Sequence, residues 1–287
     1  MNNRIAIYGS RRQDSYLEEL AGLFAFLKAR GFETEVHPKL YNYLVRQGVD
    51  MQGAGCSPWV REDTDLVMSI GGDGTFLRAA RWVGRLEIPV VGVNTGHLGF
   101  LAGCSMEDVE DMIEAICRGD VVIERRMLLE VESRDLPDKV WPYALNDVSL
   151  LKEECASMIS VQARVNGHFL ADYRADGLVV STPTGSTAYN LSAGGPILEP
   201  TIDCMALVAV APHTLTVRPL VVGGASELEL TVESRTDEFR LSLDGESYPL
   251  PAGEKVWIRR APFSTRLVRR RDTNFATILR DKLNWNR

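Results

Sequence analysis

An aspartate inside a glycine-rich turn is the first residue placed to do chemistry, in DLVMSIGGDGTFLRAA at 65–80. Apolar residues predict a strand before the turn, and a helix is predicted after it. Glycines let a backbone approach phosphate closely, and a helix N-terminus offers free N–H donors. Because the charge of Asp73 would compete with phosphate, its placement favours binding Mg²⁺ or accepting a proton from an attacking hydroxyl. A tight turn with an N-cap aspartate explains the residues equally well.

Two further polar clusters interrupt or end apolar runs. GVNTGHLGFLA (92–102) follows a predicted strand, where Phe100 offers a ring face to adenine or nicotinamide, and His97 is better explained as a structural loop histidine. Asn146 and Asp147 interrupt the strand-like run YALNDVSLL. Such a pair either faces solvent or binds something, and an amide beside a carboxylate suits the hydroxyls of a sugar.

The fourth stretch, YRADGLVVSTPTGSTAYNLSAGGP (173–196), joins charged residues to a loop of small and hydroxyl side chains. Arg174 and Asp176 precede a short apolar run, and the residues from Thr184 to Thr187 resemble a ligand-binding turn. A short helix is predicted to begin near Ser186. So many small polar residues together are difficult to explain as a plain loop.

The elements around these clusters change character along the chain. In the first 120 residues, apolar strands alternate with helical patterns, and helices are expected to start at Asp14 and Ser105, which favours a parallel sheet. Short strand-like runs dominate from 121 to 264, with hairpin turns at 166–167 and 244–245. We therefore expect an α/β nucleotide-binding domain at 1–120 and a β-rich domain at 121–264. A last helix within about 265–287, capped by Asp272, is expected to pack back on the first domain.

Composition narrows the classes of protein. The 287 residues carry a net charge of −7, which argues against general nucleic-acid binding. Six arginines between 259 and 271 are better explained by a solvated or inter-domain face than by a phosphate patch. Five scattered cysteines without a CxxC pair indicate reduced thiols. No apolar run is long enough for a membrane span, and we expect a cytoplasmic protein.

Several motifs together resemble the NAD kinase family, in order and in spacing: GGDGT, NTGHLGF, NDVSL, DGLVVSTPTGSTAYNLSAGGP and PHTLTVRPLVV. GGDGT alone is shared with diacylglycerol and sphingosine kinases and, more loosely, with 6-phosphofructokinases. The resemblance implies a Rossmann-like N-terminal domain, a β-sandwich-like C-terminal domain and NAD bound between them. It further implies phosphoryl transfer from ATP to the adenosine ribose 2′-hydroxyl of NAD, a divalent metal (Mg²⁺ with ATP), and a homodimer or homotetramer.

The same resemblance assigns roles to individual residues. Asp73 is the general base, Gly74 and Arg78 line the phosphate side, and Asn146 with Asp147 holds ribose hydroxyls. The residues assigned to dinucleotide contacts are Arg174, Asp176, Thr187, Ala188, Tyr189, Asn190, Leu191 and Ser192. The chain departs from the family at Asp147, where glutamate is common, and at Glu246, where a neutral or basic residue is common.

Two other classes fit part of the pattern. A kinase of the same superfamily acting on a lipid or a sugar would share GGDGT, but TPTGSTAYN is too polar to line a lipid groove. A non-catalytic dinucleotide-binding regulator would have no need of Asp73.

Overall fold

A computed structural model describes residues 2–10, 13–96, 99–153 and 158–283, which form two compact units. The first unit contains residues 1–125 and 265–287, and the second contains residues 126–264. Within the described ranges, no helix is long and apolar enough to cross a membrane.

The first unit alternates strands and helices. Its elements up to residue 118 are β1 (Arg4–Gly9), α1 (Leu17–Ala29), β2 (Glu33–Val36), α2 (Pro38–Arg46), β3 (Gly55–Cys56), β4 (Leu66–Ile70), α3 (Asp73–Val83), β5 (Val90–Asn94), β6 (Cys104–Ser105) and α4 (Val109–Arg118). The strand β7 (Val121–Glu132) follows and contains residues of both units.

A parallel sheet organises the first unit, with strand order β3-β2-β1-β4-β5. Every residue of β4 and β5 is buried, which fits their continuous apolar sequences. Helix α1 buries Leu20, Leu23, Phe24 and Leu27 on one face. Parallel strands place their carboxyl ends at one edge, so the turn after β4 and the loop after β5 start from the same side of the sheet.

The second unit is built from antiparallel strands. Its remaining elements are β8 (Tyr143–Ala144), β9 (Asp147–Leu151), β10 (Ile159–Val165), β11 (His168–Ala175), β12 (Gly177–Ser181), α5 (Tyr189–Ser192), β13 (Cys204–Val210), β14 (Leu220–Gly223), β15 (Leu228–Glu233), β16 (Glu238–Leu243) and β17 (Glu246–Pro251). The long strand β18 (Lys255–Arg270) follows and contains residues of both units, and the helix α6 (Phe275–Leu283) belongs to the first unit.

Two antiparallel layers enclose the core of the second unit. One sheet has the strand order β14-β13-β12-β9-β16-β17, and the other layer pairs β11-β10-β15-β18. Alternate residues such as Leu178, Val161 and Leu241 fill the space between the layers and are fully buried. The expected Rossmann-like unit and β-sandwich-like unit are therefore confirmed.

Both predicted hairpin turns are present. Asn166 and Gly167 join β10 to β11, and Asp244 and Gly245 join β16 to β17. All four residues have positive φ, from 49° to 85°. This is the conformation that the two central residues of a type I′ turn require, and it explains why Asn-Gly and Asp-Gly occur there.

The predicted helix starts were less accurate. Asp14 begins a 3-10 turn before α1, and its carboxylate accepts a hydrogen bond from the Tyr43 hydroxyl at 2.6 Å instead of capping the helix. Ser105 lies in β6, and α4 begins four residues later. At the last helix, the side chain of Asn274 accepts from the Thr277 N–H at 2.9 Å and takes the place expected for Asp272. Helix α2 was not predicted. Only His37 separates its first residue, Pro38, from the end of β2 at Val36.

Candidate active site

The turn after β4 places Asp73 at the first position of α3. Gly71 has a φ of +142°, and a Cβ at that position would lie 2.5 Å from the Thr75 hydroxyl oxygen. Only glycine fits both constraints. The chain therefore turns sharply from the sheet edge into α3, and the exposed residues Gly72 and Gly74 lie at the N-terminal end of the helix.

The Asp73 carboxylate accepts hydrogen bonds from three consecutive backbone N–H groups of the loop after β5. Its Oδ2 accepts from Phe100 at 2.8 Å. Its Oδ1 accepts from Leu101 and from Ala102, each at 3.0 Å. An ionised carboxylate has about four acceptor positions, so the bonds from the described residues leave one position open, on Oδ2. The carboxylate is thus held in one orientation with a single acceptor position available to a ligand.

Gly99 allows the loop to approach the carboxylate this closely. A Cβ at this position would lie 1.9 Å from Asp73 Oδ1, well inside any real contact. Gly92, on β5, has a similar role, because its Cβ would lie 2.6 Å from the Cα of Ala102. Both glycines are therefore required by close packing around the hydrogen bonds of Asp73.

Other predicted residues of the first unit lie around this turn. Arg78 is exposed on α3 and donates to the Thr75 hydroxyl at 3.4 Å. A Cβ at Gly74 would lie 4.0 Å from Arg78 Nη1, so the two residues are neighbours. Phe100 is half-buried and contributes its backbone N–H to Asp73. His97 lies outside the described residues.

Sequence reasoning missed Lys282, on α6. Burial lowers the pKa of its ammonium group, and the charges of Asp73 and Asp281 act in the opposite direction. Lys282 therefore adds positive charge near the carboxylate from a helix about two hundred residues further along the chain. No local pattern at 275–283 connects this lysine with GGDGT.

In the second unit, Asp244 orders the backbone around the predicted polar pair. Its carboxylate accepts N–H hydrogen bonds from Leu145 at 2.8 Å, Asn146 at 2.7 Å and Asp147 at 3.1 Å. Burial raises the pKa of Asp244, the three backbone hydrogen bonds lower it, and Glu246 raises it further. Asp244 was noted in the sequence only as a hairpin residue, and it also fixes the start of β9.

Asp147 is a buried carboxyl group on β9, with 6% of its surface exposed. Burial, and then the charge of Asp244, raises its pKa to about 7. Among the described residues, no hydrogen bond reaches its side-chain oxygens, so they are available to a ligand. Asn146 is half-buried beside it, and its backbone carbonyl accepts from the Thr182 N–H at 2.9 Å.

The loop after β12 packs against the same segment. A Cβ at Gly185 would lie 2.1 Å from the Asn146 carbonyl oxygen, which explains the glycine in TPTGST. Tyr189 is partly exposed, and its pKa is raised by burial and then by the charges of Asp147 and Asp176. The structure therefore brings Asp147, Asp176 and Tyr189 into one neighbourhood.

The remaining predicted residues of this unit differ in exposure. Arg174 is exposed on β11, whereas Asp176 forms an ion pair with Lys152 Nζ at 2.8 Å, a partner that the sequence did not indicate. Asn190 is fully buried, and its amide donates to the carbonyls of Ser186 and Pro196, each at 2.9 Å. Thr187, Ala188 and Leu191 are half-buried, and Ser192 is exposed.

Comparison with known proteins identifies the family. The family model for the ATP-NAD kinase N-terminal domain matches residues 19–121, and the model for the C-terminal domain matches residues 145–270. The NAD kinase of Bacteroides fragilis is 41% identical over 283 residues, and that of Porphyromonas gingivalis is 42% identical over 286 residues. Each alignment covers 98% of both chains. The chain belongs to the NAD kinase family.

Solved structures of NAD and NADH kinases have the same fold. A yeast NADH kinase complexed with NADH superposes with a TM-score of 0.86 at 23% identity, over 99% of this chain and 88% of that one. An NAD kinase from Archaeoglobus fulgidus in complex with ATP gives a TM-score of 0.71 at 27% identity, over 93% and 94%.

Replacing Gly99 with alanine tests the close packing around Asp73. The added Cβ would displace the carboxylate or the loop, so we expect kcat for NAD phosphorylation to fall by about 10–100-fold, as small displacements of catalytic groups do. Steady-state kinetics measure this loss. Gly96→Ala is the matched control, since among the described residues the nearest non-neighbouring heavy atom to its Cβ would be 3.8 Å away. Equal activities of the two variants would contradict a requirement for close approach at Gly99.

Proposed function

We propose that Asp73 is the general base of an NAD kinase reaction in which Asn146 and Asp147 hold the ribose that is phosphorylated. The chain transfers the γ-phosphoryl group of ATP to the adenosine ribose 2′-hydroxyl of NAD and so forms NADP. The observation that carries the assignment of Asp73 is its carboxylate, which three amides orient and which keeps one open acceptor position.

In the proposed reaction, the 2′-hydroxyl oxygen attacks the γ-phosphorus as its proton passes to Asp73 Oδ2. The new O–P bond forms, the bond to the β-phosphate oxygen breaks, and ADP leaves. A positioned base of this kind typically contributes ~10²–10⁴ in rate. Alignment of the reacting groups and neutralisation of the moving phosphoryl group supply most of the remainder.

The phosphates of ATP are assigned to the N-terminal end of α3. Free N–H groups and the helix dipole favour anions there, and the exposed Gly74 lets phosphate approach the backbone. Arg78 is exposed one turn further along the helix and can donate to phosphate oxygens. Lys282 adds a second cation near Asp73.

We propose Mg²⁺ as the metal that accompanies ATP. Among the described residues there is no group of three or more His, Cys, Asp or Glu side chains able to hold a metal ion. Mg²⁺ does not need such a group, because it is usually bound by one or two carboxylates together with substrate phosphates and water. The open acceptor position of Asp73 is assigned to the ribose hydroxyl, so the ATP phosphates and water would supply most ligands of the ion. When bound, the ion would neutralise charge on the transferred phosphoryl group.

The dinucleotide is assigned to the second unit and to Phe100. The free carboxyl oxygens of Asp147 would accept hydrogen bonds from ribose hydroxyls, and the Asn146 amide would fix their orientation. Tyr189 and Phe100 offer ring faces to the bases. Arg174, Asp176, Thr187, Ala188, Leu191 and Ser192 would complete the contacts, while Asn190 supports this loop from inside.

Assays with purified protein test the reaction. With ATP-Mg²⁺ and NAD we expect NADP, measured by a coupled NADP-specific dehydrogenase. Phosphorylation of a diacylglycerol or a hexose without NADP formation would identify a different kinase of the superfamily. Binding of NAD without turnover would identify a non-catalytic regulator.

Asp73→Asn tests the base. The variant keeps the acceptor oxygen for one or two amides but cannot take a proton, so kcat should fall by at least ~10² while the Kd for NAD changes only a few-fold. Circular dichroism should show a folded protein. Recovery of kcat at high Mg²⁺ would indicate a metal ligand instead, and a large loss of NAD affinity with kcat preserved would indicate a binding residue.

Asp147 should make NAD binding depend on pH. In the folded protein its pKa of about 7 lies well above the ordinary value of 3.8, so the group is mostly protonated at pH 6 and mostly ionised at pH 8. Hydrogen bonds to a charged acceptor are stronger than those to a neutral one by about 1 kcal/mol. The KM for NAD should therefore fall by about 5–10-fold as the pH rises from 6 to 8. Because its pKa is raised on folding, protonated Asp147 stabilises the folded protein at low pH. This stabilisation is lost as the pH rises from about 4 through 7.

The variant Asp147→Asn provides the control for both effects. Its KM for NAD and its unfolding midpoint should lose this pH dependence, while the KM for ATP stays within a few-fold of wild type. A dinucleotide without the adenosine ribose 3′-hydroxyl should bind the wild-type protein more weakly than NAD does. The variant Asp147→Ala should show a smaller difference in affinity between the two dinucleotides. If Asp147→Ala still prefers intact NAD by the wild-type margin, Asp147 does not contact the ribose.

We also propose a cytoplasmic, homo-oligomeric protein of two or four chains. The family resemblance supports both statements, and the reduced thiols expected from the sequence support the first. Cys56, Cys104, Cys117 and Cys204 are free thiols, and Cys155 lies outside the described residues.

A further inference from the structure

Arg269 is a buried arginine at the end of β18, with 7% of its side chain exposed. Its Nε donates to Glu124 Oε2, on β7, at 3.0 Å. Its Nη2 donates to the backbone carbonyl of Phe100. The guanidinium therefore connects a carboxylate of one strand with the loop that follows β5.

Both backbone polar groups of Phe100 form hydrogen bonds to side chains. Its carbonyl accepts from Arg269, and its N–H donates to Asp73 Oδ2 at 2.8 Å. Fixing the Phe100 carbonyl restricts how the residue can rotate, and this also restricts the N–H groups that follow it in Leu101 and Ala102. Gly103 leaves room for the arginine, since a Cβ there would lie 3.0 Å from Arg269 Nη1.

The neighbouring arginines behave differently. The Arg270 side chain is 44% exposed, and its Nε lies 3.8 Å from Asp272 Oδ1. The exposed Arg271 donates to the Gly119 carbonyl. Arg259, Arg260 and Arg266 pair with Glu130, Asp203 and Glu87, respectively. Of the arginine cluster at 259–271, Arg269 is the member that binds the Phe100 carbonyl.

We propose that Arg269, held by Glu124, is a positioning residue for phosphoryl transfer, which fixes the loop at 99–102 so that Asp73 presents its open acceptor position to the ribose hydroxyl. The inference rests on the proposed role of Asp73 as base. Arginine suits the task because its planar fork offers several donors in fixed directions, so that Nε and Nη2 bind two acceptors at once. Lysine has a single charged nitrogen on a flexible stem and cannot reproduce this geometry.

The test compares Arg269→Met and Arg269→Lys with Arg270→Met, a neighbour on the same strand. In the wild-type background, Arg269→Met should lower kcat by about 10–100-fold and leave the KM values for NAD and ATP within about 3-fold, because positioning acts on the reacting geometry. Arg269→Lys should restore only part of kcat. Arg270→Met should keep wild-type kinetics.

A double-mutant cycle separates positioning from general structural support. In an Asp73→Asn background, Arg269→Met should lower kcat by less than about 2-fold, because the group it positions is already removed. An equal loss in both backgrounds, or no loss in either, would overturn the proposal. Asp73→Asn by itself tests the base, so an unchanged kcat in that single variant would reject the proposed function separately.

Glu124→Gln keeps the test decisive if Arg269→Met does not fold. It retains the arginine and the side-chain volume while weakening the charged hydrogen bond, so it should lower kcat in the same direction by a smaller factor. This loss should also disappear in the Asp73→Asn background. Persistence of the loss there would contradict an effect that acts through Asp73.

Discussion

One interaction recurs in both units: a carboxylate accepts hydrogen bonds from three consecutive backbone N–H groups. Asp73 binds the N–H groups of residues 100–102, and Asp244 binds those of residues 145–147. Loop amides that have no partner in a sheet need an acceptor, and a charged one makes strong bonds. One carboxylate therefore orders each of these segments, and Arg269 adds a further hydrogen bond at Phe100.

The two units differ in which carboxyl group remains available for chemistry. In the first unit the carboxylate itself keeps an open acceptor position, so the side chain that orders the loop is also the proposed base. In the second unit the Asp244 carboxylate binds three backbone N–H groups. Burial, and then the charge of Asp244, raises the pKa of the neighbouring Asp147 to about 7. The raised pKa of Asp147 is thus in part a consequence of how the segment at 145–147 is held.

Local sequence signals predicted much of this arrangement. The strand, glycine turn and helix around Asp73 follow from apolar runs and from glycines that tolerate close approach or positive φ, and Asn166-Gly167 and Asp244-Gly245 specify their own hairpins. The starts of α1, α4 and α6 were less predictable, because Asp14, Ser105 and Asp272 are all capable of capping a helix. Tertiary contacts gave Asp14 another partner, Tyr43, and a neighbouring asparagine capped α6.

By itself, the sequence determined the two kinds of unit and the family, and it marked the segments proposed to carry chemistry, since these depend on periodicity and on motifs within short stretches. Only the tertiary structure decided which groups meet. Asp73 binds amides 27 to 29 residues away, and Asp244 binds amides 97 to 99 residues away. The bond from Arg269 to Phe100 spans 169 residues. Strand register and packing create such bonds. No local pattern encodes them, because the partners lie far apart in the sequence and meet only in the folded chain.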